Sequence, residues 1–414
     1  MNYQIPASTY DRFQITFGAT RSIIYDLQNC IVFHLNNAAT IEIQRIYKKR
    51  PMSRSVNAEF LAELTAIGVV TDEGTLNTEM VAIGTIPAKP LKKIWIELTN
   101  RCNQNCVHCY ASSSPHSDDG LGTEQIIRFL NGAISAGCES IQFTGGEPLL
   151  RKDLPLFCDI AQKGGIKEIE VFSNLSTNNK TILSELAKLN IIVSTTILAH
   201  DEQTHNRLTR SPGAFKRMVS NVKYLHSLGV PVNASIILTA ETEDRYEEII
   251  DLCNRLCLKH REPDAVRPFG RGADKSIKCK RFNNVKAGPY FETTSRSFVY
   301  AQHFNSCWGN MLFLRYDGKV APCPHAREFV FGDIANDDIS SLIAKALPKA
   351  WTLTLDKVEV CNDCEFRYLC TDCRPLAYEG DSTKLHKKNQ RCLYDPYKGE
   401  WNNADLAVFS GNPA

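Results

Sequence analysis

The placement of cysteine limits this chain more than any other feature. Sixteen cysteines occur in 414 residues: three are Cys102, Cys106 and Cys109, seven fall from Cys307 onward, and six are scattered. A secreted disulfide framework normally belongs to a short chain behind a signal peptide. The first 13 residues hold no apolar run behind a basic end, and the longest plausibly buried run, residues 191–199, is too short for a bilayer. Metal ligation in a reducing, cytoplasmic setting is therefore expected, with no membrane partner. The 48 Lys and Arg against 46 Asp and Glu leave a formal charge of +2, so no basic field points to nucleic acid.

The length allows two or three domains. Residues 1–88 hold one cysteine, Cys30, and read as two apolar strands, 22–25 and 30–35, about the turn residues Gln28 and Asn29. Helical patterns follow at about 38–47 and 58–68. Pro87 and Pro90 bracket a link. Apolar runs at 94–98, 141–144, 169–172, 191–196, 232–238 and 265–266 then alternate with helical stretches. That α/β pattern implies right-handed parallel crossovers, and an open or partly closed barrel, with ligands at the carboxyl ends of the strands. The expected divisions are 1–88, 89–272, a bridge at 273–301, a cysteine-rich unit at 302–397 and a tail at 398–414.

After the first barrel strand the chain reads Cys102-x3-Cys106-x2-Cys109-Tyr110. A four-iron cluster normally takes four cysteines, so three leave one iron open to a small molecule. A zinc site short of a ligand, or three incidental loop cysteines, is the alternative. The second strand ends in Thr144-Gly145-Gly146-Glu147-Pro148. Its glycines permit close backbone approach and Glu147 can accept from an ammonium group; alone, the stretch is an ordinary turn.

Together the two motifs resemble the radical S-adenosylmethionine (SAM) enzymes, whose signature is CxxxCxxC with a following aromatic, here Tyr110, plus the Gly-Gly-Glu-Pro turn. The resemblance implies a [4Fe-4S] cluster on Cys102, Cys106 and Cys109, with its open iron chelated by S-adenosyl-L-methionine. An electron from the reduced cluster then cleaves the cofactor's carbon–sulfur bond, and a 5′-deoxyadenosyl radical abstracts hydrogen from substrate. By the same resemblance Tyr110, Thr144, Gly145, Gly146 and Glu147 bind the cofactor. Ser173 and Asn174 are ribose contacts, or equally a helix cap ahead of Asn179. The fourth strand departs from the family, with Thr196-Ile197-Leu198-Ala199 and His205-Asn206-Arg207 in place of Ser-x-Asp-Gly and His-Asp-x-x-Arg. Thr196 keeps a hydroxyl, and Arg207 or Arg210 can pair with the cofactor carboxylate.

The second group runs Cys307-x10-Gly318-x4-Cys323, then Cys361-x2-Cys364-x5-Cys370-x2-Cys373, then Cys392. A zinc knuckle would use the middle four and leave Cys307, Cys323 and Cys392 without a role. The order of all seven resembles the SPASM extension of radical enzymes, which implies two auxiliary [4Fe-4S] clusters. Cys361, Cys364, Cys370 and Cys392 would ligate one. Cys307, Cys323 and Cys373 would hold the other, its fourth site filled by Cys279, by substrate, or left open. The family usually has three residues where only two separate Cys370 from Cys373. Cys30, Cys138, Cys158, Cys253 and Cys257 lie in apolar patterns and read as small buried hydrophobes. His325, beside Cys323, receives no role.

The amino-terminal segment resembles the winged-helix recognition elements fused to peptide maturases, with its helical part shortened; a purely structural cap is the alternative. Such elements add a leader peptide as a strand to a sheet edge. The whole then reads as a partial (β/α)6 TIM-like barrel with a small N-terminal winged-helix-like α+β module and a C-terminal cysteine-rich SPASM domain. The resemblance implies a precursor peptide, leader plus core, as partner, and a thioether or carbon–carbon cross-link as product. An external one-electron donor such as flavodoxin or ferredoxin is implied as well. Competing readings are peptide epimerisation, formylglycine formation in sulfatases, small-molecule cofactor maturation, and a nonenzymatic iron–sulfur scaffold.

Overall fold

The structure, a computed structural model, describes residues 4–50, 58–86, 91–280, 293–378, 381–389 and 391–402. The link at Pro87 and Pro90, much of the expected bridge and most of the tail lie outside the described residues. Two compact units are present: Lys89–Asn284 with Asn310–Ala350, and Asn2–Ala88 with Val285–Gly309 and Trp351–Ala414.

The amino-terminal segment has two small sheets. β1 (Ser8–Asp11) precedes β2 (Phe13–Phe17), β3 (Ser22–Asp26) and β4 (Ile31–Leu35), and the last three form an antiparallel sheet in the order β2-β3-β4. β3 is central and buried along its whole length, so its alternating residues serve two cores. Ile24 faces the core made with Phe13, Leu35, Ile43 and Ile46 of α1 (Asn37–Tyr47), and Leu64 of α2 (Ala58–Ala66). α1 starts where Asn36 accepts from the Ala39 amide, an N-cap. β5 (Met80–Ile83) pairs antiparallel with β1. The sequence reading anticipated β3 and β4 alone. β1 and β2 interleave polar residues, and β5, though apolar throughout, is only four residues long and mostly not buried. Cys30 is a correction: it sits in the β3–β4 turn at φ +57° and is exposed, not buried.

The first unit is the barrel. In chain order it runs β6 (Lys93–Glu97), α3 (Thr123–Ser135), β7 (Ser140–Thr144), α4 (Leu154–Lys163), β8 (Glu168–Phe172), α5 (Lys180–Leu186), β9 (Ile192–Ile197), α6 (Glu202–Thr209), α7 (Ala214–Ser227), β10 (Val232–Leu238) and α8 (Tyr246–Arg255). Two short strands, β11 (Lys259–His260) and β12 (Asp264–Ala265), both lie parallel to β10. From β6 to β10 each strand pairs in parallel with the next, the single winding of a (β/α) barrel. Each helix buries one face, as with Ile126, Phe129, Leu130 and Ala133 of α3, while Ile127 and Ile134 at the rim of that stripe are half-buried. Cys138, Cys158 and Cys253 are buried among these elements. Cys257 is again a correction, exposed at φ +53° just past α8.

Past α9 (Ser295–His303), which belongs to the second unit, β13 (Met311–Leu314) returns to the barrel sheet and pairs in parallel with the free side of β6. β14 (Lys319–Ala321) and β15 (Gly332–Asp333) extend that edge antiparallel, and α10 (Ile339–Ala346) follows. The second unit adds α11 (Arg374–Tyr378), β16 (Tyr394–Asp395) and β17 (Glu400–Trp401). Its core joins Ile23, Tyr25, Leu27 and Ile83 to Phe298, Phe366, Leu369 and Tyr394, with Tyr25 stacked on Phe298 at 4.4 Å. Among the described residues no helix is long and apolar enough to cross a membrane.

Candidate functional site

The three-cysteine loop leaves the carboxyl end of β6 and is held by backbone hydrogen bonds on several sides. The amides of Asn105 and Val107 donate to the carbonyls of Thr209 and Leu208 at the end of α6, and the Cys102 amide donates to Ser114. The turn after β7 docks on the same loop: Gly146 N–H donates to the Thr99 carbonyl at 2.7 Å and Glu147 N–H to Arg101 at 2.9 Å. A Cβ on Gly145 would lie 2.4 Å from the Thr99 oxygen, and one on Gly146 2.2 Å from that of Arg101. The glycines therefore let the turn press against the cysteine loop itself. Thr144, buried at the end of β7, accepts from the Leu98 amide.

Glu147 is fully buried. Its carboxylate accepts from the Ser173 hydroxyl at 2.7 Å and from the Leu149 and Asn174 amides at 2.9 Å each. Burial pushes its pKa up to about 7, against the pull of those three donors. Glu147 thus ties the β7 turn to the β8 turn. Ser173 is buried, and its hydroxyl also accepts from Leu175 N–H, so both of its hydrogen-bonding capacities are turned inward. Asn174 donates to Asn103 Oδ1 at 2.8 Å and to Cys102 Sγ at 3.7 Å, which directs its side chain at the cysteine loop. The helix cap sits elsewhere: Asn179 caps α5 by accepting from Thr181 and Ile182.

Tyr110 donates to Glu97 at 3.2 Å. Glu97, buried at the end of β6, is also ion-paired with Arg327, whose guanidinium lies 5.8 Å from the Tyr110 ring centre. His325 sits edge-on to Tyr110 at 5.2 Å and against Phe269. Burial lowers its pKa to about 3, so it is neutral at physiological pH. Thr196 is half-buried on β9, while Arg207 is exposed on α6 and paired with Glu241. Arg210 is exposed in the left-handed position that ends α6.

Two arginines outside the sequence motifs complete the frame. Arg271 donates from Nε to the Cys106 carbonyl at 2.7 Å and from Nη2 to Ser113 at 2.8 Å, while its own amide donates to Cys109 at 3.0 Å. Arg151 reaches the Leu98 and Leu121 carbonyls through Nη1. Gly270 allows the first approach, since a Cβ there would meet the Tyr110 oxygen at 2.4 Å. The signal in sequence was the Gly-Arg-Gly run at 270–272, at the end of the expected barrel segment.

The loop suits an iron–sulfur group by its own chemistry. Burial raises the Cys102 thiol to about 12 and Cys106 well above its ordinary value, Cys109 adding to both shifts and Arg271 opposing the second. Thiols in this setting stay protonated until metal binding deprotonates them. Buried Gln104 Nε2 and His108 Nδ1, on the same loop, have no partner among the described residues. They are polar atoms that a bound group would satisfy. Among the described residues no three His, Cys, Asp or Glu side chains close on one point as around a single ion. The charges of Cys102, Cys106 and Cys109 act on one another, so the three thiols share one neighbourhood.

In the second unit Cys361, Cys364, Cys370 and Cys392 form an electrostatically coupled set. The first responds to the third and fourth, and the second to the first and third. Cys364 and Cys392 also pack against the core around Tyr25 and Phe298. Cys307 lies in a turn held by buried Asn305, which accepts from the Cys307 and Trp308 amides. Cys373 adjoins α11; Cys323, in the barrel unit, follows β14 with its carbonyl accepting from Ala326. Cys279 is buried beside a segment whose Lys280 amide donates to Glu243.

Comparison with known proteins places these two cysteine regions. The Radical SAM superfamily matches residues 96–253, and SPASM, an iron–sulfur cluster-binding domain, matches residues 307–365. The chain is a radical SAM enzyme with a SPASM region. These assignments imply S-adenosyl-L-methionine, a [4Fe-4S] cluster and auxiliary iron–sulfur clusters. An AdoMet-dependent heme synthase of Methanosarcina barkeri is 24% identical over 73% of this chain and 96% of its own. The sporulation killing factor maturation protein SkfB of Bacillus subtilis is 27% identical over 52% of each chain. Among solved structures, SuiB of Streptococcus suis bound to S-adenosylmethionine shares the fold, with TM-score 0.59 and 14% identity over 93% of this chain and 99% of SuiB.

Proposed function

We propose that this radical SAM enzyme modifies a ribosomally made precursor peptide, holding its leader on the amino-terminal module and installing a thioether or carbon–carbon cross-link in its core. The observation that carries this reading is the extent of the likeness to SuiB. It spans 93% of the chain, so what it leaves out is far shorter than residues 1–88. SuiB has been crystallised bound to the precursor peptide SuiA, and SkfB is by its name the maturation protein of a sporulation killing factor. β4 is an outer strand of its sheet, with Ile31 exposed. An outer strand suits leader capture by strand addition, where the main chain gives affinity and the core peptide stays free.

In this reading Cys102, Cys106 and Cys109 hold the first cluster. S-adenosylmethionine bound there supplies a 5′-deoxyadenosyl radical that removes hydrogen from substrate. The chain's own residues bind, orient and exclude water. Glu147, Ser173 and Asn174 fix the Gly145–Gly146 turn against the cysteine loop. Thr144, Tyr110 and Thr196 contact the cofactor, and Arg207 or Arg210 pairs with its carboxylate. Cys361, Cys364, Cys370 and Cys392 hold one auxiliary cluster, and Cys307, Cys323 and Cys373 the other. Forming a cross-link after hydrogen removal leaves a second electron to be accepted, a role that suits these clusters. A flavodoxin or ferredoxin supplies the reducing electron.

A second reading, chemistry on a small molecule such as a tetrapyrrole, is favoured by the heme synthase, whose length is matched almost entirely. One experiment separates the two. The anaerobically reconstituted protein is given S-adenosylmethionine, reductant and the peptide encoded beside it, in deuterated water. Loss of two hydrogens from the peptide with matching 5′-deoxyadenosine is the expected result. Uptake of one deuterium means epimerisation, and 5′-deoxyadenosine with an unaltered peptide rejects a peptide substrate.

A further inference from the structure

Arg374 is fully buried in the second unit, an uncommon state for a guanidinium. Three of its donors are satisfied. Nε is paired with Asp372, and Nη1 donates to the carbonyls of Leu385 at 2.8 Å and Lys387 at 2.9 Å. Nη2 is buried and has no acceptor among the described residues. A buried charged donor without an acceptor is costly, so the site as it stands is incomplete. The surroundings name the missing acceptor by its chemistry. Arg374 follows Cys373 directly in sequence, and its charge acts on both Cys361 and Cys373. Cys361 in turn is coupled to Cys370 and Cys392. Sulfur of an iron–sulfur cluster is an acceptor that a buried cation would serve.

We propose that Arg374 is the donor that sets the potential of the auxiliary cluster held by Cys361, Cys364, Cys370 and Cys392: its Nη2 N–H hydrogen-bonds a sulfur of that cluster in the loaded enzyme. Hydrogen bonds to the sulfurs and local charge are the levers by which a protein moves such potentials. A donated N–H and a buried positive charge both stabilise the reduced, more negative form. Arg374 therefore holds this potential up. The role rests on the auxiliary cluster alone and is independent of the substrate.

The test is an EPR-monitored reductive titration of the full chain with Cys102, Cys106 and Cys109 changed to Ala, so that auxiliary signals are read alone. Arg374→Gln is expected to disfavour reduction of the cluster held by Cys361, Cys364, Cys370 and Cys392 about tenfold, which is about 59 mV downward for one electron, and to move the other cluster by less. Arg374→Lys keeps the charge but loses the fork, and shifts the same signal by less. Lys384→Gln removes an exposed charge and shifts neither. Because Arg374→Gln leaves Asp372 buried alone, Asp372→Asn/Arg374→Gln is titrated beside it, with iron content measured for every form. An unchanged potential in an iron-replete glutamine form would overturn the proposal, as would an equal shift in Lys384→Gln or a shift confined to the other cluster. If both glutamine forms lose iron, a wild-type potential in Arg374→Lys overturns it as well.

Discussion

Arg271 lies outside both cysteine motifs, yet it ties down the first loop more than any of the loop's own side chains. Its two side-chain bonds reach the carbonyls of Cys106 and Ser113, and its amide reaches Cys109. A hydrogen bond from a charged donor contributes about 1.5–3 kcal/mol. Arg271→Ala should therefore lower iron at the first cluster and slow 5′-deoxyadenosine formation by about tenfold or more, with auxiliary iron retained; iron counts in variants lacking either cysteine group check it. His205 carries a pH prediction. It is buried on α6 beside Phe215, and burial lowers its pKa from 6.5 to about 4. The unfolded chain takes up the proton first, so the stability that the neutral ring gives is present above pH 6.5 and lost as pH falls to about 4. The loss is roughly 3 kcal/mol. Denaturant melts from pH 7 to 4 should show a shallower decline for His205→Phe than for wild type; parallel declines would contradict the assignment.

At the scale of elements, the barrel strands were legible because parallel strands buried on both faces read as apolar runs. Ile94 and Ile96, Ile141 and Phe143, and Ile169 and Val171 are all buried. β1 and β2 were not, since they interleave polar residues, and β5 is a four-residue run mostly left unburied. Cys30 and Cys257 were misread because neighbouring apolar residues do not reveal a left-handed turn position. Arg271 and Glu97 were invisible for a different reason: their partners lie far away in sequence, as with Arg271 and Cys106 or Glu97 and Arg327. The elements also bear on truncation. Ile23, Tyr25 and Ile83 share a core with Phe298, Phe366 and Tyr394, against which Cys364 and Cys392 pack. Deleting residues 1–88 should therefore cost auxiliary-cluster iron and not peptide binding alone. Full iron retention in the truncated protein would contradict that.

Over the whole molecule, the cysteine spacing pointed to both cluster regions before any coordinates did, while the reason each loop holds its shape emerged only from contacts. The parallel pairing of β13 with β6 also lay beyond the sequence, because β13 is a four-residue run in a region read by its cysteines. The central claim is that the loop of Cys102, Cys106 and Cys109 reductively cleaves S-adenosylmethionine. It is tested most directly by measuring 5′-deoxyadenosine from the anaerobically reconstituted protein with dithionite, beside a form carrying Ala at those three positions. The wild type should form 5′-deoxyadenosine, and the variant none while keeping its auxiliary iron. Equal 5′-deoxyadenosine from both forms, or none from an iron-replete wild type, would contradict the claim.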